Sequence, residues 1–553
     1  MTLRPVLLGG YAAKSCPRIT HNQFDITIAE QPSVTSDDLQ RLFDLGNSHE
    51  ASVFAVWLER GTDVVDLGGL DGDKTAHIAA TLEAMDAGRL VILAGRLPDD
   101  IAGGRTGKPD VLLRETAGVG YHPGDVKAHM VLNKSKTGGL ASDLVQPALS
   151  YASEHELGLK YDDRDLLQLA HYWRMLQACG LEASSPYGAI VGTDVADVPL
   201  LAWYDLTEAL FTTFSRSRGK TDRSSLERYD HEHDFRVKVA LVAQQRTGSP
   251  ADPAPLVVPV GQSDCLDCSW APVCVETLPD DDLSAALPAG KLSVREYLAL
   301  QKIGIHTLDD LAEADLDVVL ASEYAEETAH QWGRKARLAK ARIATELTLA
   351  DQEIRLKPGA AFDIPRAAVE IDLDVEWDRA GRVYLWGALV TQDGQNEFVS
   401  FVDFAMDDEA AELTLALRCF DWLASTHPDA LVYHYSGAER TQAKRVLGER
   451  LDSYAGTSGD FKNWVDLLPI VREGFDSRSG VGLKIVATSG AGFSWRDEDP
   501  GGLQSQQWLE DVRGADIAAG QRILDYNEDD VRATLAVRIW LSNIDSLGRL
   551  SIK

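Results

Sequence analysis

The stretch "VEIDLDVEW", residues 369–377, alternates Ile371, Leu373 and Val375 with Glu370, Asp372, Asp374 and Glu376. A period of two sends side chains to opposite faces of a β-strand, so this segment must build a strand with one apolar and one acidic face. Four like charges so close repel one another, and a cation is the economical explanation for at least one pair; an exposed acidic edge is the alternative. The strand-like runs "RVYLWGALVT" and "NEFVSFVDF" follow, then helical stretches, "ALVYHYSGAE", and a last helix in "AAGQRILDYNEDDVRATLAVRIWLSN". That order predicts an α/β domain over residues 359–553 with an antiparallel start.

At 553 residues the chain is too long for one core. Residues 1–280 alternate helix-like and strand-like segments and form a second expected α/β domain. Between them, 281–358 reads as a small helical linker domain, similar to helix-hairpin-helix units but lacking their second glycine. In it Gly304 ends one helix, Thr307 caps the next, and Asp310 completes a capping box. No apolar run is long enough to span a bilayer, and the N-terminus lacks a signal-peptide pattern, so a cytoplasmic location is expected.

A formal charge of −32 argues against a general polyanion binder, because attraction to phosphate needs positive local potential. Basic clusters stand against it at Arg216, Arg218, Lys220 and Arg223, and at Arg334, Lys335, Arg337, Lys340 and Arg342. The second has helical spacing, for which a solvated helix face is the plain reading.

In "KPDVLLRETAGVGYHPGDVKAH" Asp125 and Lys127 project from one face of a strand, and a turn-rich connection can return Asp110 beside them. Two carboxylates and a lysine at a sheet edge suit phosphodiester hydrolysis: the acids hold Mg²⁺ or Mn²⁺, and the lysine positions a water or offsets phosphorane charge. Asp110 followed by Asp125-Val126-Lys127 resembles the D…(D/E)xK signature of the restriction-endonuclease-like nucleases, in particular the RecB-like branch. That branch has an upstream helical histidine, offered here as His49 in "LGNSHEA", and a Q-x-x-x-Y helix, offered as Gln168 and Tyr172. The resemblance implies that His49, Asp110, Asp125 and the Val126 carbonyl bind metal. It further implies that Lys127 activates attack and that Gln168 with Tyr172 holds the scissile strand.

Six cysteines are too few for a disulfide framework in a chain this long. Cys265, Cys268 and Cys274 cluster in "CLDCSWAPVC", and with one distant cysteine they could ligate zinc or an iron–sulfur cluster. One cysteine before the nuclease core and three after it resembles the Cas4/AddB-like iron–sulfur nucleases. By that resemblance Cys16, Cys265, Cys268 and Cys274 hold a [4Fe-4S] cluster, with Zn²⁺ the alternative.

The Asp374-x-Glu376 strand, a middle acid and the Y-x3-D pair Tyr526 and Asp530 resemble the RNase H-like DEDD exonucleases. By that resemblance Asp374, Glu376, a middle acid and Asp530 bind two metal ions while Tyr526 orients the attacking water. The middle motif departs from the family pattern: "HYSGAE" offers Glu439 where aspartate is expected, and Asp466 in "WVDLLPIVRE" is the rival.

Together these features predict a Mg²⁺- or Mn²⁺-dependent nuclease acting on single-stranded DNA or DNA ends in repair or recombination. An exonuclease is favoured at the second site, with a restriction-endonuclease-like first domain and an RNase H-like last one. No G-x4-G-K-(S/T) loop is present to drive an ATP motor. A nucleic-acid-binding partner of a helicase and an RNA-processing nuclease are the alternatives.

Overall fold

The computed structural model describes residues 4–29, 37–61, 63–133, 138–155, 157–193, 199–215, 219–288, 290–329, 331–379, 381–455, 461–497 and 502–551. Arg216 and Arg218 of the first basic cluster lie outside the described residues, as does the Lys220 side chain. The chain forms two compact units, Met1–Ala285 with Leu292–Ile305 and Asp317–Arg334, and Ala286–Lys291 with His306–Leu316 and Lys335–Lys553. The helical stretch 281–358 thus contributes to both. Among the described residues no helix is long and apolar enough to cross a membrane.

An eight-stranded mixed sheet organises the first unit: β1 (Val64–Asp66), β2 (Val91–Leu93), β3 (Val111–Arg114), β4 (Tyr121–Val126), β5 (Gly139–Asp143), β6 (Ser153–His155), β7 (Tyr187–Val191) and β8 (Leu200–Asp205). Its spatial order is β1-β2-β3-β4-β7-β8-β5-β6. The hairpin expected of Asp110 and Asp125 forms: β3 and β4 are antiparallel, with Val111 opposite Gly124. Strand β4 then pairs in parallel with β7, which places the end of β4 mid-sheet. Helices α1 (Pro17–Phe24), α2 (Asp37–Arg60), α3 (Lys74–Asp86), α4 (Asp163–Cys179) and α5 (Ser225–Ala243) belong to this unit. Helix α2 sends Val53 and Trp57 into one face of the sheet, and the Trp57 indole donates to the Leu144 carbonyl at 3.0 Å. Helix α4 packs Leu166, Leu169 and Trp173 into another part of the core. It starts where the Asp162 carboxylate accepts the Arg164 amide and ends at Gly180, whose φ of 69° favours a residue without Cβ.

In the helical stretch, α6 (Val294–Lys302) is followed by Gly304 at φ 85°. Next, α7 (Leu308–Glu313) opens on a capping box in which Thr307 and Asp310 satisfy each other's amides.

The second unit centres on β9 (Val369–Trp377), β10 (Val383–Gln392), β11 (Gln395–Val402), β12 (Leu431–His434) and β13 (Trp464–Asp466), ordered β11-β10-β9-β12-β13. The first three are antiparallel, while β12 and β13 run parallel to β9. On the apolar face Ile371, Leu373 and Val375 are buried with Leu415, Ala416 and Phe420 of α8 (Glu409–Thr426). Full burial of each such aliphatic side chain is worth about 1.5–3 kcal/mol, which fixes which face turns inward. Helices α9 (Ala438–Leu447), α10 (Leu467–Gly474), α11 (Leu483–Ser489), α12 (Gly502–Arg513) and α13 (Ile517–Ser551) complete the unit, and α13 packs against β9 and β10.

Candidate active sites

The four acids of β9 are divided between two fates. Arg538 of α13 is fully buried; it donates to Asp372 at 3.0 and 2.8 Å and to Glu370 at 2.5 Å. Arg366 adds a hydrogen bond to Glu370 at 2.5 Å. A built-in cation therefore neutralises the first pair.

The second pair, Asp374 and Glu376, joins a third acid instead. Asp374, Glu376 and Asp530 each offer an oxygen within 4.8 Å of the others, the one such three-ligand group among the described residues. Glu376 and Asp530 are buried and Asp374 is half-buried. Burial and the charges of Asp530, Glu376 and Glu439 drive the Asp374 carboxyl well above its ordinary range. Burial and Asp530 push Glu376 up to about 8, and burial raises Asp530 to about 6. Three acids that cannot all ionise unaided form a site that a divalent cation would fill.

Each of the three is held by a neutral donor. Asn527 Nδ2 donates to Asp374 at 2.7 Å, Ser505 Oγ to Glu376 at 2.8 Å and Trp495 Nε1 to Asp530 at 2.8 Å. Strand β10 makes room: Gly387 lies opposite Asp374, and a Cβ there would sit 1.6 Å from Asn527 Oδ1. Tyr526 is buried beside the trio, and burial together with the surrounding carboxylates raises its phenol far above the usual value. The Lys484 ammonium lies 5.3 Å from the Tyr526 ring and draws the Glu376 and Asp530 pKa values back down.

Between the two middle acids the structure distinguishes clearly. Glu439, at the start of α9, is buried, acts electrostatically on Asp374, and lies 3.4 Å from His434 Nδ1. Asp466 instead caps α10, accepting the Leu468 amide at 3.0 Å and the Ser436 amide at 3.1 Å. This capping role explains why an acid precedes "LLPIVRE", and Asp466 is not part of the three-acid group.

In the first unit Asp110 stands just before β3 and accepts the Val126 amide at 2.8 Å, so the two strand ends are locked together. Asp125 is 1% exposed, and its Oδ1 has no hydrogen-bond partner among the described residues. Burial and the adjacent Asp125 raise the Asp110 carboxyl well above its usual range. Lys127 Nζ lies 2.5 Å from Asp125 Oδ2; burial opposes its charge, yet Asp125 holds its pKa above the ordinary value. Lys127 also donates to Gln168 Oε1 at 3.2 Å, and Gln168 donates to the Tyr172 hydroxyl at 3.3 Å. Asp110, Asp125, Lys127, Gln168 and Tyr172 therefore form one constellation.

His49 lies on α2, next to the end of β7 that pairs with Val126. Its half-buried ring bonds to the Gly192 backbone, just beyond β7, and its pKa is lowered by burial. The next residue, Glu50, is the one whose charge acts on Asp110, while Asp125 acts on it in turn. Glu50 thus also faces this centre, and the buried His49 Nε2 has no hydrogen-bond partner among the described residues. Lys14 was also missed: it donates to Gln168 Oε1 at 2.7 Å, and burial and Lys127 lower its pKa to about 8. Nothing in the local sequence marks it, because the contact spans more than 150 positions.

Cys16, Cys265, Cys268 and Cys274 line one small cavity, together with Arg18 and Trp270. Burial raises the thiols of Cys16, Cys268 and Cys274, so holding them as thiolates would require a bound cation or cluster. No three of these sulfurs lie within 4.8 Å of one another, whereas tetrahedral zinc, with bonds of about 2.3 Å, would bring sulfurs to roughly 3.8 Å. Cys179 and Cys419 stand apart from this cavity.

No curated protein and no solved structure matches the chain. Residues 372–542, which include Asp374, Glu376, Glu439, Tyr526 and Asp530, match the family model RNase_H_2 of the RNase_H superfamily, so the second unit contains an RNase H superfamily domain.

Proposed function

We propose that the protein is a metal-dependent nuclease that hydrolyses DNA phosphodiester bonds, acting on single strands or ends in repair or recombination. The observation that carries this reading is the acid trio Asp374, Glu376 and Asp530, converging within a domain of a superfamily suggestive of nuclease activity. Mg²⁺ or Mn²⁺ bound there would offset charge on the scissile phosphate and lower the pKa of the attacking water. Asp374, Glu376 and Asp530 supply the ligand oxygens, and Glu439 takes the place of the middle acid. Tyr526 stays a neutral phenol and orients the water. Exonucleolytic cleavage is the proposed mode at this site.

The first unit is proposed as a second, RecB-like nuclease centre, with Asp110, Asp125 and the Val126 carbonyl toward metal and Lys127 toward the attacking water. The four cysteines are proposed to hold a [4Fe-4S] cluster, with Zn²⁺ the alternative; their meeting at one small cavity is what supports a shared thiolate-bound group. With no ATP-binding loop in the sequence, strand opening would be left to a separate helicase.

The deciding experiment is degradation of end-labelled single-stranded DNA in Mn²⁺ by wild type, Asp374→Asn, Lys127→Ala and the double variant. Loss of one activity in each single variant and of all cleavage in the double one is expected. A double variant that cuts normally would remove both sites from the reaction. Running the ribo-oligonucleotide of the same sequence alongside decides between DNA and RNA as substrate.

A further inference from the structure

Two ammonium groups in the first unit converge on a single neutral oxygen: Lys14 Nζ and Lys127 Nζ donate to Gln168 Oε1 at 2.7 and 3.2 Å. Lys127 is matched by Asp125 at 2.5 Å. Among the described residues no carboxylate lies within ion-pair distance of Lys14. Holding a second cation there is unfavourable until an anion arrives, and a phosphate oxygen is the anion a nuclease centre receives.

Lys14 is also fixed in place. The Tyr11 carbonyl accepts the Lys14 amide at 3.2 Å and the Ser15 hydroxyl at 2.8 Å, and Arg236 clamps the Ser15 carbonyl at 2.9 Å. Its ammonium lies 4.1 Å from the centre of the Tyr11 ring, which is itself 61% exposed. The Tyr11 phenol is within the electrostatic reach of Lys127, Asp125 and Asp110, so this exposed ring flanks the same centre. An exposed aromatic beside a lysine is the pairing that single-strand binders use, the ring stacking on a base and the cation meeting the backbone.

We propose that Tyr11 and Lys14 grip the substrate strand at the first site, Lys14 binding a phosphate beside the scissile one and Tyr11 stacking on a base. The proposal rests on reading that site as a nuclease centre. Neither residue reacts; both bind substrate.

The test uses the full chain carrying Asp374→Asn, which silences the second site, with a fluorescein-labelled oligo-dT strand. Binding across a salt series and steady-state cleavage in Mn²⁺ are compared for Lys14→Ala, Lys14→Gln, Lys14→Arg, Tyr11→Ala and Lys127→Ala. Lys14→Ala and Lys14→Gln should each raise KM about tenfold with a smaller change in kcat. They should also flatten the slope of log affinity against log salt by about 0.7, as expected when one phosphate contact to a single strand is lost. Lys14→Arg should restore both, and Tyr11→Ala should raise KM without altering the salt slope. Unchanged KM and slope in Lys14→Ala and Lys14→Gln, with Lys127→Ala inactive, would overturn the grip and leave the nuclease reading standing. Lys127→Ala cutting as well as its parent would overturn the nuclease reading itself, and the grip with it.

Discussion

Arg538 shows how one residue decides the role of its neighbours. Removing one partner of a buried ion pair strands the other charge, at a cost of about 3–5 kcal/mol. Arg538→Met should therefore destabilise the second unit by about that amount, read as a lower denaturant midpoint. Adding Glu370→Gln and Asp372→Asn should recover much of the loss, because no buried charge is then left alone. A midpoint unchanged by Arg538→Met would mean the pair is not buried in solution. Asn527 is a subtler case, since it touches Asp374 rather than a reacting atom. Groups that orient a metal ligand typically contribute 10–100-fold, so Asn527→Ala should weaken Mn²⁺-supported cleavage by about that factor while the fold melts near the wild-type temperature. Rescue by higher Mn²⁺ would identify the loss as one of metal affinity.

At the scale of elements, the second site is a match of two periodicities. Tyr526, Asp530, Thr534 and Arg538 recur every four residues and so form one stripe of α13. The eight residues from Asp530 to Arg538 span about 12 Å of helix. The four from Asp374 to Glu370 span about 13 Å of strand. A helix laid along β9 therefore meets the metal-site pair with a carboxylate and the other pair with a guanidinium. That spacing was readable in the sequence, but only once strand and helix were known to pack together. Gly387 leaves the space that the Asn527 side chain of the helix occupies against the sheet. Gly387→Ala would drive Asn527 off Asp374, and the expected result is a cleavage defect like that of Asn527→Ala, added to a loss of stability. A variant with full activity would show that the two elements lie further apart than the structure has them.

For the whole molecule, the charge of −32 gives way at each centre to a local arrangement of acids and cations. The first unit also carries a buried histidine group that contributes to its response to acid. His171 bonds to the Tyr229 hydroxyl at 2.8 Å and the Thr106 carbonyl at 3.1 Å, with His233, Arg105 and Asp100 around it. Burial and His233 lower its pKa to about 3, and burial lowers His21 to about 4. Both are neutral when folded, while the unfolded chain takes up their protons below about pH 6.5. Their contribution is complete above that pH and is lost as pH falls toward 3–4. His129, raised by the Asp165 carboxylate, has the opposite sign, but it is half exposed and weaker. Carboxyls with raised pKa values, Asp110 in this unit and Glu376 and Asp530 in the other, act in the opposite direction, so the histidine part is read by difference: His171→Asn should lose less melting temperature than wild type between pH 7 and pH 5. The same pH dependence in wild type and His171→Asn would count against the buried neutral imidazole. Metal removal gives a second global check: protein purified without oxygen should absorb broadly near 400 nm and hold about four irons, whereas a colourless protein with one zinc would replace the cluster by Zn²⁺.

Strand and helix character, the Asp110/Asp125 hairpin, the Thr307 cap and the Asp374-x-Glu376 and Tyr526-x3-Asp530 pairs were legible because each depends on residues a few positions apart. Periodicity and capping are local physics. What sequence could not decide was which acids cluster together and which meet an arginine, that Glu439 acts on Asp374 while Asp466 caps a helix, or that Glu50 and Lys14 approach the first centre. Those outcomes depend on contacts between residues far apart in the chain, and on burial that turns a solvated charge into one needing a partner. Tertiary packing sets both, so it alone assigned the partners.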